Sequence, residues 1–143
     1  MAKMKEYAEL VESRLLDLRE ILARAKSLEE FRRPWILYST LHVIQSCIQA
    51  LLDMSIHLIA ELGAKKPSTY RETAEILRKL GVLDSELAEK FSGMIGFRNL
   101  LVHQYARVSV EEAYRIAREE AERDIREVLK AVLKKAREAG VDP

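Results

Sequence analysis

The fold of this chain is decided by its most apolar stretch, which is PWILYSTLHVIQSCIQALLDMSIHLIAEL at residues 34–62. Proline cannot continue a helix but suits the first turn of one, so Pro34 predicts a helix start, and Gly63 suits the end of that helix. Apolar residues occupy more than one stripe of the predicted helix, and such a helix is covered on several sides. We therefore expect it at the centre of a helical bundle, or partly covered by a second subunit.

Apolar spacings of three and four residues predict an amphipathic helix before this stretch and further helices after it. The first helix is expected at about residues 3–26, followed by a break at residues 27–33. Thr69 and Glu72 form the pattern of a capping box, which predicts a short third helix that ends at Leu80.

The last two predicted helices also carry capping signals. A fourth helix is expected to start at Asp84 or Ser85, and a last helix follows Ser109, which has Glu112 three residues later. The last helix is expected to end near Glu138, and its interleaved charges are typical of a solvated outer face. The sequence therefore predicts an all-α fold, an up-and-down bundle of four long helices plus one short helix.

The composition agrees with a single helical domain over residues 1–143. Hydrophobic residues make up 48% of the chain, with only three Pro and five Gly, and this favours helices. No apolar run reaches the length needed to span a bilayer and no secretion signal is visible, so we expect a cytoplasmic protein without a membrane partner. Cys47 is the only cysteine and the formal net charge is +1. An intrachain disulfide is therefore excluded, and any nucleic acid must meet a local basic patch.

A polar motif ends the otherwise apolar fourth helix, with the sequence GFRNLLVHQY at residues 96–105. A helix advances about 100° per residue, so Asn99 and His103 share one face, and Arg98 and Tyr105 share another. Arg98 and His103 diverge by roughly 140°. A long arginine side chain closes part of that gap, and a second copy of the helix would also close it.

These residue types suit proton transfer at neutral pH and the stabilisation of charge on a phosphate group. Histidine exchanges protons near neutral pH, so His103 is the candidate for proton transfer. Arg98 keeps its charge and presents several donors to phosphate oxygens, so it is the candidate that stabilises charge in the transition state. Asn99 can orient His103 or contact phosphate, and Tyr105 can contact substrate through its hydroxyl or ring.

Each of these residues also has an ordinary structural interpretation. His103 can be a helix-end histidine near the C-terminal carbonyl groups. Arg98 can be a surface cation or the partner of a nearby carboxylate. Tyr105 can be a core aromatic residue with its hydroxyl in water, and Asn99 an interface residue. The residues alone leave both interpretations open.

The remaining candidates favour structural roles. Asp53 and His57 lie four residues apart on the second helix, and two ligands alone do not make a metal site. We expect a buried hydrogen bond between them, beside the same cleft as His103, with no metal and no cofactor. Cys47 is expected to be a buried small hydrophobe, and His42 a surface or interface residue.

Gly93 and Gly96 lie inside the fourth helix, where each costs about 1 kcal/mol relative to alanine. Close approach of another backbone would compensate for that cost. The pair, the divergence of Arg98 from His103 and the very apolar second helix together predict a homodimer with its two-fold axis near the fourth helix. Two copies of the motif would then share one cleft.

Residues 98–105, RNLLVHQY, resemble the Arg-x-x-x-x-His-x-Tyr signature of the HepT-like toxin family, a branch of the HEPN superfamily of ribonucleases. The second helix, with ALLD at residues 50–53 and HLIAE at residues 57–61, resembles that family's long central helix. The resemblance covers nearly the whole chain. It implies a dimeric all-helical bundle that acts on RNA as a metal-independent endoribonuclease, without a cofactor, and with Arg98 and His103 as the catalytic residues.

The resemblance also implies a partner and a regulatory site. Such proteins are typically encoded beside a nucleotidyltransferase of the MntA type, the antitoxin of a type VII-like toxin–antitoxin system. That enzyme AMPylates the motif tyrosine, which is Tyr105 in this chain. Asn99 and Tyr105 are the candidates that support substrate binding. The alternative is a non-catalytic helical subunit that binds a nucleotidyltransferase, and a purely structural dimer is a third class. The intact Arg98 and His103 favour the enzyme, because a binding module needs neither group.

Overall fold

The computed structural model describes residues 3–141, which form seven α-helices joined by short connections. The helices are α1 (Lys3–Ala23), α2 (Leu28–Phe31), α3 (Pro34–Glu61), α4 (Thr73–Lys79), α5 (Ser85–His103), α6 (Val110–Arg115) and α7 (Glu122–Ala139). A π-helical segment, Ile116–Ala121, joins α6 to α7 without a break. The described residues contain no strand. The four long elements are α1, α3, α5 and the continuous helix from α6 to α7, so the expected all-α bundle is confirmed.

The central element is α3, as its composition predicts. It packs along α1 and also contacts α4, α5 and α7. Leu51, Leu52 and Leu58 are fully buried, and each such burial contributes about 1.5–3 kcal/mol.

The length of α3 corrects one expectation. By length and composition alone it is able to cross a membrane, since it contains a window with mean hydropathy 1.5. We had expected no apolar run of that length. Because 61% of the window is buried inside the bundle, α3 has the environment of a core helix.

Two of the predicted helix starts are capped as expected. Asp84 accepts a hydrogen bond from the Leu87 backbone N–H at 2.7 Å, and Ser109 accepts one from the Glu112 N–H at 3.2 Å. These caps satisfy backbone donors that have no partner within their own helix.

The predicted capping box at Thr69 is wrong. Thr69 precedes a 3-10 turn, Tyr70–Glu72, and its side chain makes no capping hydrogen bond. The Glu72 carboxylate instead reaches one residue further back and accepts a hydrogen bond from the Ser68 N–H at 2.6 Å. Because the 3-10 turn comes first, α4 starts only at Thr73.

The expected break at residues 27–33 contains one helical turn, α2. Ser27 accepts a hydrogen bond from the Glu30 N–H at 3.2 Å, and the Glu30 carboxylate accepts one from the Lys26 N–H at 3.1 Å. These two bonds cap the turn in the manner of a capping box, except that the carboxylate binds the residue before the N-cap. Phe31, at the end of the turn, is fully buried, so α2 contributes a side chain to the core.

The π-helical segment between α6 and α7 was not predicted. Ala113, Ala117 and Ala121 are buried at a constant spacing of four residues, and on an ideal α-helix this spacing drifts about 40° per step. A π turn contains more residues than an α turn, so each residue rotates less around the helix axis. The π-helical segment therefore offsets the drift, and the three alanines keep facing the bundle. Beyond it, Arg126 of α7 pairs with Glu12 of α1 at 2.8 Å.

A small second core fixes the end of α5 against the start of α3. Leu101 of α5 is buried with Phe31, Ile36 and Leu41 from α2 and α3, and with Ala113 from α6. These contacts place the last turn of α5, which carries the polar motif, beside the first turns of α3.

The glycine pair in α5 faces open space. A Cβ atom added at Gly93 or Gly96 would meet nothing within 4 Å. No backbone of the described chain therefore approaches either residue, and the expected close approach is wrong for a single chain. Contact of this face with a second copy stays a prediction.

Candidate active site

The guanidinium group of Arg98 is held from three sides. Its Nε donates to Oε1 of Gln49 at 3.0 Å, and its Nη1 donates to Oδ1 of Asn99 at 2.8 Å. Its Cζ lies 4.6 Å from the centroid of the Tyr70 ring, within the range of a cation–π interaction. The side chain is half-buried, so these contacts restrict a group that is usually mobile on a protein surface.

A second layer of contacts fixes Gln49 itself. Its Nε2 donates to Oδ1 of Asp53 at 2.9 Å and lies 3.3 Å from the hydroxyl of Tyr70. The opposite amide orientation would place the NH₂ group of Gln49 against the donors of Arg98, where no hydrogen bond is possible. Donation therefore runs outward from Arg98, directly to Asn99 on one side and through Gln49 to Asp53 on the other.

Gln49 and Tyr70 join the candidate site through their contacts with Arg98, and the sequence analysis missed both. The signal for Gln49 is its polar side chain four residues before Asp53 on a mostly apolar helix. No sequence signal marks Tyr70. Its ring reaches Arg98 from a 3-10 turn that lies 28 residues earlier in the chain.

His103 is the last residue of α5, and it is exposed. Within residues 3–141, the side-chain hydrogen bonds of Arg98 go to Gln49 and Asn99, and none goes to His103. The structure thus brings Arg98 and Asn99 together, whereas the spacing of five residues along α5 separates His103 from Arg98 by roughly 140° around the helix. The oxygen of Asn99 is engaged by Arg98, so an Asn99 that orients His103 through this atom is not the arrangement found.

The position of Tyr105 corrects the argument from heptad spacing. Gln104 has φ −139° and ψ 48°, which ends α5, and Tyr105 begins a separate 3-10 turn, Tyr105–Arg107. Because the helix stops at His103, Tyr105 does not share a helix face with Arg98. Its ring lies 6.0 Å from the ring of Tyr38 on α3.

Tyr105 is neither a core residue nor fully solvated, with 43% of its surface exposed. Partial burial raises the pKa of its hydroxyl above the ordinary value, and the nearby Tyr38 adds to this effect. The phenol therefore keeps its proton at physiological pH.

Asp53 and His57 do not share a cleft with His103. They line a cavity of about 240 Å³ that is bounded by Lys3 and Tyr7 of α1. The Asp53 carboxylate accepts a hydrogen bond from Nε2 of Gln49. Within residues 3–141, no group of three or more His, Cys, Asp or Glu side chains is arranged to hold a metal ion.

Cys47 is fully buried, as expected. Burial raises the pKa of its thiol to about 12, which makes it a poor nucleophile. His42 is exposed on α3, in agreement with the expectation of a surface residue.

This bundle is the fold of HEPN toxins. The tri-AMPylated Shewanella oneidensis HEPN toxin, solved in complex with an MNT antitoxin, superposes with a TM-score of 0.81 over 94% of this chain and 98% of that chain. The two sequences are 16% identical, so this likeness concerns the fold.

The sequence defines the family more closely. Residues 4–132 match the family described as Ribonuclease HepT-like, and the chain belongs to it. An Archaeoglobus fulgidus protein with the name "Putative RNase" is 32% identical over 109 residues, which cover 76% of this chain and 77% of that protein. The tRNA nuclease HepT of Aphanizomenon flos-aquae is 31% identical over 75 residues, about half of each chain (52% and 51%).

Proposed function

We propose that this protein is a metal-independent endoribonuclease, the toxin of a type VII-like toxin–antitoxin pair, in the cytoplasm. The observation that carries the proposal is the preorganised Arg98, held by Gln49, Asn99 and Tyr70 on the helix that ends with the exposed His103. Membership of the Ribonuclease HepT-like family supports it. The names of the relatives supply the substrate class, RNA.

The proposed reaction needs a charge stabiliser and proton transfer. The 2′-oxygen of the RNA attacks phosphorus, the bond from phosphorus to the 5′-oxygen breaks, and a 2′,3′-cyclic phosphate and a 5′-hydroxyl form. His103 accepts the proton of the 2′-hydroxyl. Arg98 donates hydrogen bonds to the phosphoryl oxygens as their negative charge increases, and its fixed orientation lowers the cost of reorganisation in the transition state.

A homodimer would supply the second proton transfer. The departing 5′-oxygen needs a proton, and a protonated His103 from a second copy would provide it within a shared cleft. The open face at Gly93 and Gly96 supports this arrangement, because it can accept another α5 without a steric obstacle from its own chain. Light scattering tests it, and a monomer of 16.5 kDa at micromolar concentration would contradict it.

The proposed antitoxin is a nucleotidyltransferase of the MntA type that AMPylates Tyr105. Tyr105 lies beyond the end of α5 and is partly exposed, so its hydroxyl is accessible to an enzyme. Because the pKa of Tyr105 is raised, the modifying enzyme must remove the phenolic proton as the oxygen bonds to the α-phosphorus of ATP and pyrophosphate leaves. An adenylyl group on Tyr105 would bring an anion beside Arg107 in the same turn and obstruct RNA.

The experiment is RNA cleavage by the purified protein, with and without a chelator. Cleavage is expected to persist in the chelator, to yield 2′,3′-cyclic phosphate ends, and to vanish in both Arg98→Ala and His103→Ala. Arg78→Ala is the matched control, since Arg78 is a surface arginine on α4 that pairs with Glu75. Equal residual cleavage in all three variants would indicate a contaminating nuclease. Absence of cleavage together with binding of a nucleotidyltransferase would favour the non-catalytic subunit.

A further inference from the structure

Three aromatic side chains form an exposed patch where α3 begins and α5 ends. Trp35 is 67% exposed, Tyr38 is 54% exposed and Tyr105 is 43% exposed. Trp35 and Tyr38 lie three residues apart on α3, so they share one face, and the Tyr38 and Tyr105 rings are 6.0 Å apart at 48°. We call Trp35, Tyr38 and Tyr105 the aromatic platform.

Two exposed arginines flank the platform. Arg33 precedes Trp35 by two residues and Arg107 follows Tyr105 by two. Within residues 3–141, neither guanidinium forms one of the ion pairs found in the structure, whereas the neighbouring Arg32 pairs with Glu111. Trp35 also lines a cavity with Asp17, Glu20 and Arg24, so the unpaired positive charge of the patch comes from Arg33 and Arg107.

Exposed rings beside unpaired arginines fit two kinds of occupant. Protein interfaces are also enriched in Trp, Tyr and Arg, so the choice of occupant rests on the position of the patch beside the candidate catalytic residue. A single strand of nucleic acid offers bases that stack on aromatic rings and phosphates that pair with arginine, in alternation along the strand. Tyr105 also lies two residues from His103, so a strand on these rings passes beside the candidate proton acceptor.

We propose that Trp35, Tyr38 and Tyr105 stack the bases of single-stranded RNA, with Arg33 and Arg107 on its phosphates. This inference rests on the proposed ribonuclease function and adds the substrate form, an unpaired strand, and the residues that hold it. A duplex keeps its bases stacked on one another, so it cannot occupy the rings in this way.

The chain contains its own probe for this contact, because Trp35 is its only tryptophan. Trp35 fluorescence is to be followed while His103→Ala protein is titrated with a single-stranded RNA of about 12 nucleotides, a length within the usual site size. Stacking is expected to quench the emission, and the same RNA annealed to its complement is expected to leave it largely unchanged.

The affinity of variants for labelled RNA separates the contribution of the aromatic rings from that of the arginines. Tyr38→Ala and Trp35→Ala are each expected to weaken single-strand binding by about 5- to 100-fold, while Trp35→Phe, which keeps a ring, should recover most of the loss. Arg33→Ala and Arg107→Ala are each expected to lower the slope of log affinity against log salt by about 0.7. Leu16→Ala is the matched control, since Leu16 is 59% exposed on α1, and it should bind as the parent does.

The outcomes distinguish this inference from the proposed function. Unchanged RNA affinity in Trp35→Ala and Tyr38→Ala, with cleavage still dependent on Arg98 and His103, would overturn the platform and leave the ribonuclease intact. Dissociation of a dimer by these variants without a loss of RNA affinity would also overturn it, since the patch would then join two copies. Cleavage that persists in Arg98→Ala and His103→Ala would instead remove the proposed function itself.

Discussion

The two halves of the polar motif have opposite environments. Arg98 is half-buried and held by Gln49, Asn99 and Tyr70. His103 and Tyr105 are exposed at and beyond the end of the same helix. One chain therefore preorganises the proposed charge stabiliser and leaves the proposed proton-transfer and substrate contacts open. We infer that the open half is completed by RNA or by a second copy.

The largest expected effect comes from breaking the fixed half of the motif. Arg98→Lys keeps the charge but removes the planar donors that bind Gln49 and Asn99, and it loses stacking on Tyr70. We expect kcat for RNA cleavage to fall about 100- to 1,000-fold, with thermal stability nearly unchanged. A lysine variant with almost full activity would show that charge alone, and not its orientation, is what the site needs.

A smaller loss is expected from the residue that orients Arg98. Gln49→Leu retains the approximate size of the side chain but removes its hydrogen bonds to Arg98 and Asp53. We expect kcat to fall about 10-fold, with little change in KM, because Gln49 acts through Arg98.

A double-mutant test defines that coupling. Gln49→Leu should have no further effect in the Arg98→Lys background, which keeps measurable activity but lacks the donors that bind Gln49. Gln45→Leu, one turn earlier on the same helix, is the control and should retain activity. Additive losses from Gln49→Leu and Arg98→Lys would mean that Gln49 acts on activity independently of Arg98.

The bundle beneath both halves buries Cys47 completely, and this burial makes the free energy of unfolding depend on pH. In the folded chain the pKa of the Cys47 thiol is about 12, which is above the ordinary thiol value. As the pH rises, the thiol therefore loses its proton in the unfolded chain before it does so in the folded chain. Stability should therefore fall between about pH 9 and 12, by about 1 kcal/mol per pH unit from this group alone. Urea unfolding at pH 8 and 10 measures the change, and Cys47→Ala should remove this component. An equal pH dependence in Cys47→Ala would contradict the assignment.

The smallest effect is expected at the exposed half. Tyr105→Phe keeps the ring beside Tyr38 and removes only the hydroxyl, so cleavage should change less than 3-fold or so. After coexpression with a partner nucleotidyltransferase, the parent should gain one or more AMP units in intact-mass spectra and Tyr105→Phe should gain none. An AMP adduct on the phenylalanine variant would place the modification elsewhere.

The two halves of the motif also differ in how well helical spacing predicts their positions. Arg98, Asn99, His103 and Tyr105 are predicted as site residues from one local stretch, because helical spacing and residue chemistry are properties of neighbours in the chain. The heptad argument failed at Tyr105, because the helix ends at His103 and the chain turns at Gln104. Periodicity assumes that a helix continues, and it cannot report the residue at which packing stops it.

The sequence by itself determined the helical class, the central position of α3, the caps at Asp84 and Ser109 and the burial of Cys47. Each follows from residue type and short-range spacing. Only the tertiary structure decided that Gln49 and Tyr70 surround Arg98, and that Tyr38 meets Tyr105. Gln49 and Arg98 are 49 residues apart, and Tyr38 and Tyr105 are further apart still. Contacts over such separations depend on how whole helices pack, and pairs of this kind leave no periodic trace in a single sequence.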